Sequence, residues 1–424
     1  MMKKSKNDKN GRDHRQQVPA ELPKKALSRS RCIISGKCGA CSMIDVSYEE
    51  QLRKKQELVE KCLGEFAAPL PIIRMKNPDH YRNKANAAYG RDYKGKMVCG
   101  IFKQGSHEVV LKKQCLVENT HADRILQSVY RLVVDFRIPV YDEDRGTGLL
   151  RYVQIRTAHV THQVMVTLVC ASPVFPSVNN FIKELLKVHP EITTIVLNIN
   201  DRRTSIVMGK REKVLYGPGT IEDELCGKKF RISSRSFYQV NSIQTEKLYN
   251  IAIDAAGLSG KERIIDAYCG IGTIGIIASD KCREVISTES NKDAVEDAVV
   301  NASLNRIKNI RFYEEDAGAF MQQMAAAGER ADVLFMDPPR AGADEAFLQS
   351  TLTLAPEKIV YISCNPLTLK ENLKVLTTGG YEVRKIVPVD MFPYTMHVET
   401  VVLLSGEKVD GHIDIDLDVE RLER

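Results

Sequence analysis

Short apolar runs recur from Glu262 onward, at Arg263–Ile265, Glu284–Thr288, Ile310–Tyr313, Val333–Met336 and Ile359–Ser363. Between them lie stretches with helical spacing, at Ile274–Ala278, Lys292–Asn305, Ala317–Ala326, Ala343–Leu354 and Leu367–Leu376. Strand alternating with helix in this way predicts βαβ units on a parallel sheet. Residues 231–406 therefore read as a doubly wound α/β domain. Residues 31–230 are mixed. Helical periodicity falls at Glu49–Phe66 and Ala122–Val134, and two-residue alternation at Tyr152–Thr157, Gln163–Ala171 and Thr194–Asn200. That pattern predicts an α+β domain. No internal repeat is present.

A length of 424 residues calls for more than one domain, and 43% hydrophobic with 27% charged residues is ordinary globular composition. The most apolar windows, Val160–Ala171 and His397–Leu404, fall short of the roughly 20 residues a bilayer-spanning helix needs. The leading MMKKSKNDKNGRDHRQQ has no apolar stretch behind its charges, which excludes a secretory signal. Eleven cysteines, an odd number, argue for a reducing compartment rather than a disulfide framework. A cytoplasmic, membrane-independent monomer is expected. Charge is concentrated at the ends. Residues 1–31 hold ten Lys/Arg against three Asp/Glu, and residues 407–424 hold three against seven. The first 30 residues read as a disordered basic tail, either a phosphate-attracting arm or a solvated leader. Residues 407–424 form an acidic extension that alternates like an edge strand.

In doubly wound sheets ligands bind beyond the carboxyl ends of the strands. The residues there are Asp266, Glu289, Asp316, Asp337 and Cys364. The first turn, Asp266-Ala-Tyr268-Cys-Gly270-Ile-Gly272-Thr-Ile-Gly275, has the glycine spacing of a tight turn that approaches a nucleotide-like ligand. By itself that suggests a dinucleotide, with Glu289 placed for ribose hydroxyls. Asp266 shifts the balance. A carboxylate there opposes a pyrophosphate but pairs with the ammonium of S-adenosylmethionine, and Asp316 is then available to the adenine amine. Prolines 338 and 339 fix a rigid loop after Asp337. Cys364 precedes a predicted helix, whose N-terminus is expected to lower its pKa. Glu399 opens an apolar run, where partial burial raises a carboxyl toward a general base.

These residues together resemble the RNA uracil-C5 methyltransferase family. The likeness is carried by Ser236-Phe-Tyr-Gln239-Val-Asn241, DAYCGIGTIG at 266–275, Glu289, DPPRAG at 337–342, SCNP at 363–366 and HVETVVLL at 397–404. It implies a Rossmann-like methyltransferase domain in which Gln239, Tyr268, Glu289 and Asp337 bind S-adenosylmethionine. It also implies Cys364 as nucleophile and Glu399 as base. Attack of a thiolate on uracil C6 directs charge to C5, which then accepts a methyl group. A structured RNA must present that base unstacked.

Cys32, Cys38 and Cys41 lie within ten residues, and Cys115 follows in Lys112-Lys-Gln-Cys115. Four thiols suit zinc or an iron–sulfur cluster, and spacing does not decide between them. The ribosomal-RNA branch of the resembled family carries a four-cysteine [4Fe–4S] cluster with similar spacing, which implies that cofactor and a 23S ribosomal RNA substrate. Tyr81-Arg-Asn-Lys84 and Arg91-Asp-Tyr-Lys94-Gly-Lys96 interleave basic and aromatic residues as an RNA-facing surface does. Three rival readings stand beside this one: a transfer-RNA substrate, an NAD-dependent oxidoreductase, and a non-catalytic RNA-binding assembly factor.

Overall fold

A computed structural model describes residues 30–204 and 206–406. The basic tail up to residue 29 and the acidic extension 407–424 lie outside the described residues. The chain begins with a four-residue helix α1 (Ser35–Cys38) and then α2 (Tyr48–Leu63), capped by the Ser47 side chain on Glu50 N. The first sheet comprises β1 (Lys84–Arg91), β2 (Met97–Phe102), β3 (Val109–Leu111), β4 (Leu150–Thr157), β5 (Val164–Cys170), β6 (Ile192–Ile199) and β7 (Arg211–Tyr216). Its order is β3-β2-β1-β4-β5-β6-β7, and only β5 and β6 run parallel, joined through α4 (Val178–Val188). Together with α3 (Thr120–Asp135), α4 covers one face, burying Ile125, Val129, Phe181 and Leu185 against strand residues such as Val153 and Leu168.

A hairpin, β8 (Ile221–Leu225) and β9 (Lys228–Ile232), and helix α5 (Ser242–Ala256) lead into the second sheet. There β10 (Arg263–Ala267), β11 (Glu284–Glu289), β12 (Ile310–Glu314), β13 (Val333–Met336) and β14 (Lys358–Ser363) alternate with α6 (Thr273–Ala278), α7 (Lys292–Leu304), α8 (Ala317–Ala326), α9 (Glu345–Leu354) and α10 (Pro366–Thr378). Strands β15 (Tyr381–Val389) and β16 (Glu399–Gly406) complete it in the order β12-β11-β10-β13-β14-β16-β15. The first five strands are parallel, and β16 is antiparallel to both neighbours.

Successive strand residues serve opposite faces, as the pleat requires. Ile264, Val333 and Val360 pack with α5, α6 and α7, whereas Ile265, Leu334 and Ile359 pack with α8, α9 and α10. The expected doubly wound arrangement is therefore present, beside a mixed sheet. Val59, Cys62 and Leu63 of α2 are buried in the second sheet's core although they lie some 200 residues before its first strand. No described helix is long and apolar enough to cross a membrane.

Candidate active site

The strand order reverses between β10 and β13, so the connections from these two strands leave in opposite directions and open a crevice at their carboxyl ends. A cavity of about 620 Å³ lies there. Gly270, Tyr268, Glu289 and Asp316 line one side, and Gln239, Asp337, Cys364 and Glu399 the other. Of the carboxylates and the thiol expected at strand exits, only Asp266 is absent from the wall.

Asp266 lies inside β10 and is fully buried. Its Oδ2 accepts the Gly275 amide at 2.8 Å and so clamps the start of α6 under the loop, while Oδ1 has no hydrogen-bond partner. Burial, with Asp337 and Glu289 nearby, raises its pKa to about 7. The loop above it is unusual. Tyr268 adopts φ 62°, in the left-handed region, followed by Gly270 at φ 56° and Gly272 at φ 80°. A Cβ placed on Gly270 would meet no protein atom within 4 Å, so the glycine leaves open space toward the cavity. Glu289 ends β11. Its Oε2 accepts the Gly270 amide at 3.1 Å and its Oε1 the Asn291 amide at 2.8 Å. Asp316 caps α8 through Ala319 N.

The side that carries Cys364 and Glu399 is assembled by register. Ser363 of β14 pairs with Thr400 of β16, so Cys364 and Glu399 emerge side by side at the same sheet edge. Asp337 follows β13, the adjacent strand. Glu399 is 4% exposed, and burial together with the Asp337 charge raises its pKa to about 8. Asp337 itself is raised to about 7 by burial. The expected helix-driven lowering of the Cys364 pKa is not what the structure gives. Burial, Glu399 and Asp337 together push the thiol upward. The helix offers it little, because the Asn365 side chain already takes the Leu367 amide at the N-cap. The opposing influence comes from Arg340, a residue of the DPPRAG segment to which no role was assigned from sequence. It lines the cavity, draws the Cys364 pKa down, and contacts the His397 ring at 2.8 Å.

Loops from elsewhere brace this side. Asn83 donates to the Gln239 carbonyl at 2.9 Å. Lys55 and Asp390 form a fully buried ion pair, and Tyr48 Oη donates to the second Asp390 oxygen at 2.8 Å. Tyr394 N donates to Gln51 at 2.7 Å, Met43 N to the Tyr394 carbonyl at 2.9 Å, and Arg31 to the Tyr394 hydroxyl at 2.9 Å. The segment before Glu399 is thus held by residues from the first 55 positions.

Cys32, Cys38, Cys41 and Cys115 line a separate cavity of about 310 Å³, together with Arg82, Lys84 and Lys112. Burial and the other three thiols raise Cys41 to about 12. Among the described residues, no group of three or more His, Cys, Asp or Glu is gathered so as to hold a metal ion.

The model of a family described as tRNA (uracil-5-)-methyltransferase matches residues 47–407. An RNA methyltransferase of Listeria monocytogenes is 42% identical over 377 residues, covering 88% of this chain and 83% of that protein. One from Staphylococcus aureus is 38% identical over 379 residues, with the same coverage. Among solved structures, a Pyrococcus abyssi tRNA (uracil-54, C5)-methyltransferase in complex with S-adenosyl-L-homocysteine superposes with a TM-score of 0.70 at 26% identity, covering 84% of this chain and 83% of that one.

Proposed function

We propose, for a chain that belongs to the tRNA (uracil-5-)-methyltransferase family and is an S-adenosylmethionine-dependent RNA methyltransferase, that it methylates C5 of a uracil in 23S ribosomal RNA through a covalent cysteine adduct. The observation that carries the reading is the placement of Cys364, Glu399 and Asp337 on one wall of a cavity whose other wall is the glycine loop.

Several features of the glycine-loop wall fit the cofactor. Gly270 leaves room beside the loop, and Glu289 presents a carboxylate there. Gln239, Tyr268, Glu289, Asp316 and Asp337 would hold S-adenosylmethionine, which supplies an electrophilic methyl group when bound. Cys364 as thiolate adds to uracil C6, and the electron pair of the C5–C6 double bond moves toward C5 and O4. C5 takes the methyl group. Glu399 as carboxylate removes the C5 proton, the C6–S bond breaks, and the thiolate leaves as the double bond reforms. Arg340 offsets the negative charge that develops on sulfur. The Cys364 thiol and Glu399 favour their protonated forms in the free protein and Asp337 titrates near neutrality, so the charged states needed for reaction depend on substrate and cofactor filling the cavity.

The four cysteines support the ribosomal substrate through the branch they resemble. Cys32, Cys38, Cys41 and Cys115, which line one cavity, would be the ligands of a [4Fe–4S] cluster held for structure rather than redox, but among the described residues they are not gathered to hold it. A transfer-RNA substrate is the second reading, favoured by the family description and by the archaeal enzyme's own substrate. The test uses anaerobically purified protein, S-adenosylmethionine, and unmodified ribosomal and transfer RNA transcripts, with nucleosides quantified by mass spectrometry. 5-Methyluridine from ribosomal RNA alone is expected, and from transfer RNA alone would favour the second reading. Cys364→Ala is expected to abolish it, and a fully active variant would exclude the adduct.

A further inference from the structure

Strand β14, followed directly by Cys364, lies between β13 and β16 in the second sheet. Arg340 is in the loop after β13, and His397 stands two residues before Glu399, which opens β16. Arg340 Nη2 lies 2.8 Å from His397 Nδ1 and 2.9 Å from His397 Nε2. The contact therefore joins the loops of two strands that are not neighbours, across the carboxyl end of the strand that carries the thiol. The Arg340 main chain is tied to the same place, because Asn365 Nδ2 and Thr368 Oγ1 donate to its carbonyl at 3.2 and 3.1 Å. A fixed backbone still leaves the direction of a long, rotamer-rich side chain open. Arg340 enters no ion pair among the described residues, so the His397 ring is what holds its guanidinium.

The ring suits that task only as neutral imidazole. One nitrogen then lacks a proton and accepts from the guanidinium, whereas an imidazolium has no acceptor and sets two cations in contact. Its surroundings keep it neutral. Desolvation, then Arg340 and Lys55, lower the His397 pKa, and Lys55 is itself committed to Asp390. The ring is also anchored. The His397 amide donates to Thr395 Oγ1 at 3.2 Å, and the imidazole meets the Phe392 ring edge-on with centroids 6.3 Å apart. Phe392 and Arg340 line the catalytic cavity with Cys364 and Glu399. Neither His397 nor Arg340 is buried, so the pair is not there to fill the core.

We infer that His397 is a positioning residue for the methyl transfer, its ring accepting from the Arg340 guanidinium and holding that cation beside Cys364. The inference rests on the proposed covalent mechanism and adds to it the group that orients the cation. Burial, Glu399 and Asp337 all oppose ionisation of the thiol, and Arg340 is the group that favours it. A guanidinium free to swing into water loses that effect, since distance and solvent both weaken the attraction.

The test reads the thiol directly in the full-length protein without RNA. Iodoacetamide alkylation is followed between about pH 6 and pH 10 and quantified on the Cys364 peptide by mass spectrometry, the rate reporting the thiolate fraction. His397→Leu fills similar space with neither an acceptor nor a π face. It is expected to move the midpoint up by about half a unit to one unit, so that alkylation near pH 7.5 slows about 3- to 10-fold. The kcat for RNA methylation should fall with it, while KM for S-adenosylmethionine stays at the parent value. His397→Gln supplies an acceptor but no titrating group, and should restore most of both rates, which separates positioning from proton transfer. Adding His397→Leu to Arg340→Gln should slow alkylation no further than Arg340→Gln does alone. A parental midpoint in His397→Leu would overturn the inference, as would additive effects of the two substitutions or a Gln variant as impaired as Leu. Should His397→Leu fail to fold, Arg340→Gln decides, and a parental midpoint there overturns the inference too. A fully active Cys364→Ala protein removes the covalent mechanism and the role of His397 with it. A parental His397→Leu midpoint in an enzyme that needs Cys364 removes the inference alone.

Discussion

Replacing Glu399 by Gln isolates the cost of burying a carboxyl in the cavity wall. The folded protein keeps the Glu399 proton up to about pH 8, whereas the unfolded chain releases it near its ordinary value of 4.5. Below 4.5 both states are protonated and the group's contribution to stability is fully present. As pH rises toward 8 the unfolded state gains by ionising first, and the fold loses stability. At 1.36 kcal/mol per pH unit, the interval between the two values sets a ceiling of about 5 kcal/mol. Asp337 ionises earlier, near 7, and its charge then adds to the penalty on Glu399. Gln has a similar shape and no proton to lose. The free variant should match the parent near pH 4, gain on it steadily through pH 5, 6 and 7, and hold a constant advantage above about pH 8.5. Even a third of the ceiling, about 1.5 kcal/mol, is resolvable in urea titrations, whose extrapolated values carry roughly 10–15% error. The chain contains no tryptophan, so circular dichroism is the suitable probe. A parent–variant difference that stays constant from pH 5 to pH 9 would refute the argument, since it would mean that Glu399 ionises alike in the folded and unfolded states.

Two further expectations follow from the same geometry. Lys55→Met leaves Asp390 buried with only the Tyr48 hydroxyl on its carboxylate, and should cost about 3–5 kcal/mol in urea unfolding, part of it recovered by Lys55→Met/Asp390→Leu; an unchanged midpoint for the single variant would show that the pair carries no structural weight. Gly275→Ala sets a Cβ 2.9 Å from Asp266 Oδ2 and 3.0 Å from Ser287 Oγ and Val285, which displaces the clamp beneath the glycine loop. Affinity for S-adenosyl-L-homocysteine, read by calorimetry, should fall about 5- to 100-fold, corresponding to roughly 1–3 kcal/mol of overpacking, and parental affinity would sever the loop from cofactor binding.

The doubly wound half was legible because each parallel strand is a short apolar run between amphipathic helices, and β10 to β14 with α6 to α10 fall where the pattern placed them. Strand β1 was not legible. Its sequence KANAAYGR has no large aliphatic residue, and it becomes a strand by pairing with β2 and β4. The edge strand β7, REKVLY, is almost wholly exposed and carries no buried face to alternate with. At the site, residue types at strand ends were readable, but their ionisation was not. The direction of the Cys364 pKa depends on burial and then on the carboxyls of Glu399 and Asp337, and a helix N-terminus inferred from local sequence could not reveal them. Asp266 read as a ligand-facing carboxylate, because nothing local shows that the pleat turns it under the loop. Arg340 stood within a recognised segment, but its proximity to the thiol is a tertiary fact.

The buried Lys55–Asp390 pair and the Tyr394 contacts with Met43 and Gln51 also bear on how the enzyme is made. Ribosomes deliver α2 well before the segment that precedes Glu399, and more than 330 residues separate the partners that brace Glu399. Until β16 has left the exit tunnel, α2 has only an incomplete surface to dock on and Glu399 is not in place. A nascent chain can thus carry the glycine loop and Cys364 without the completed cavity wall, and synthesis itself delays the completion of the site.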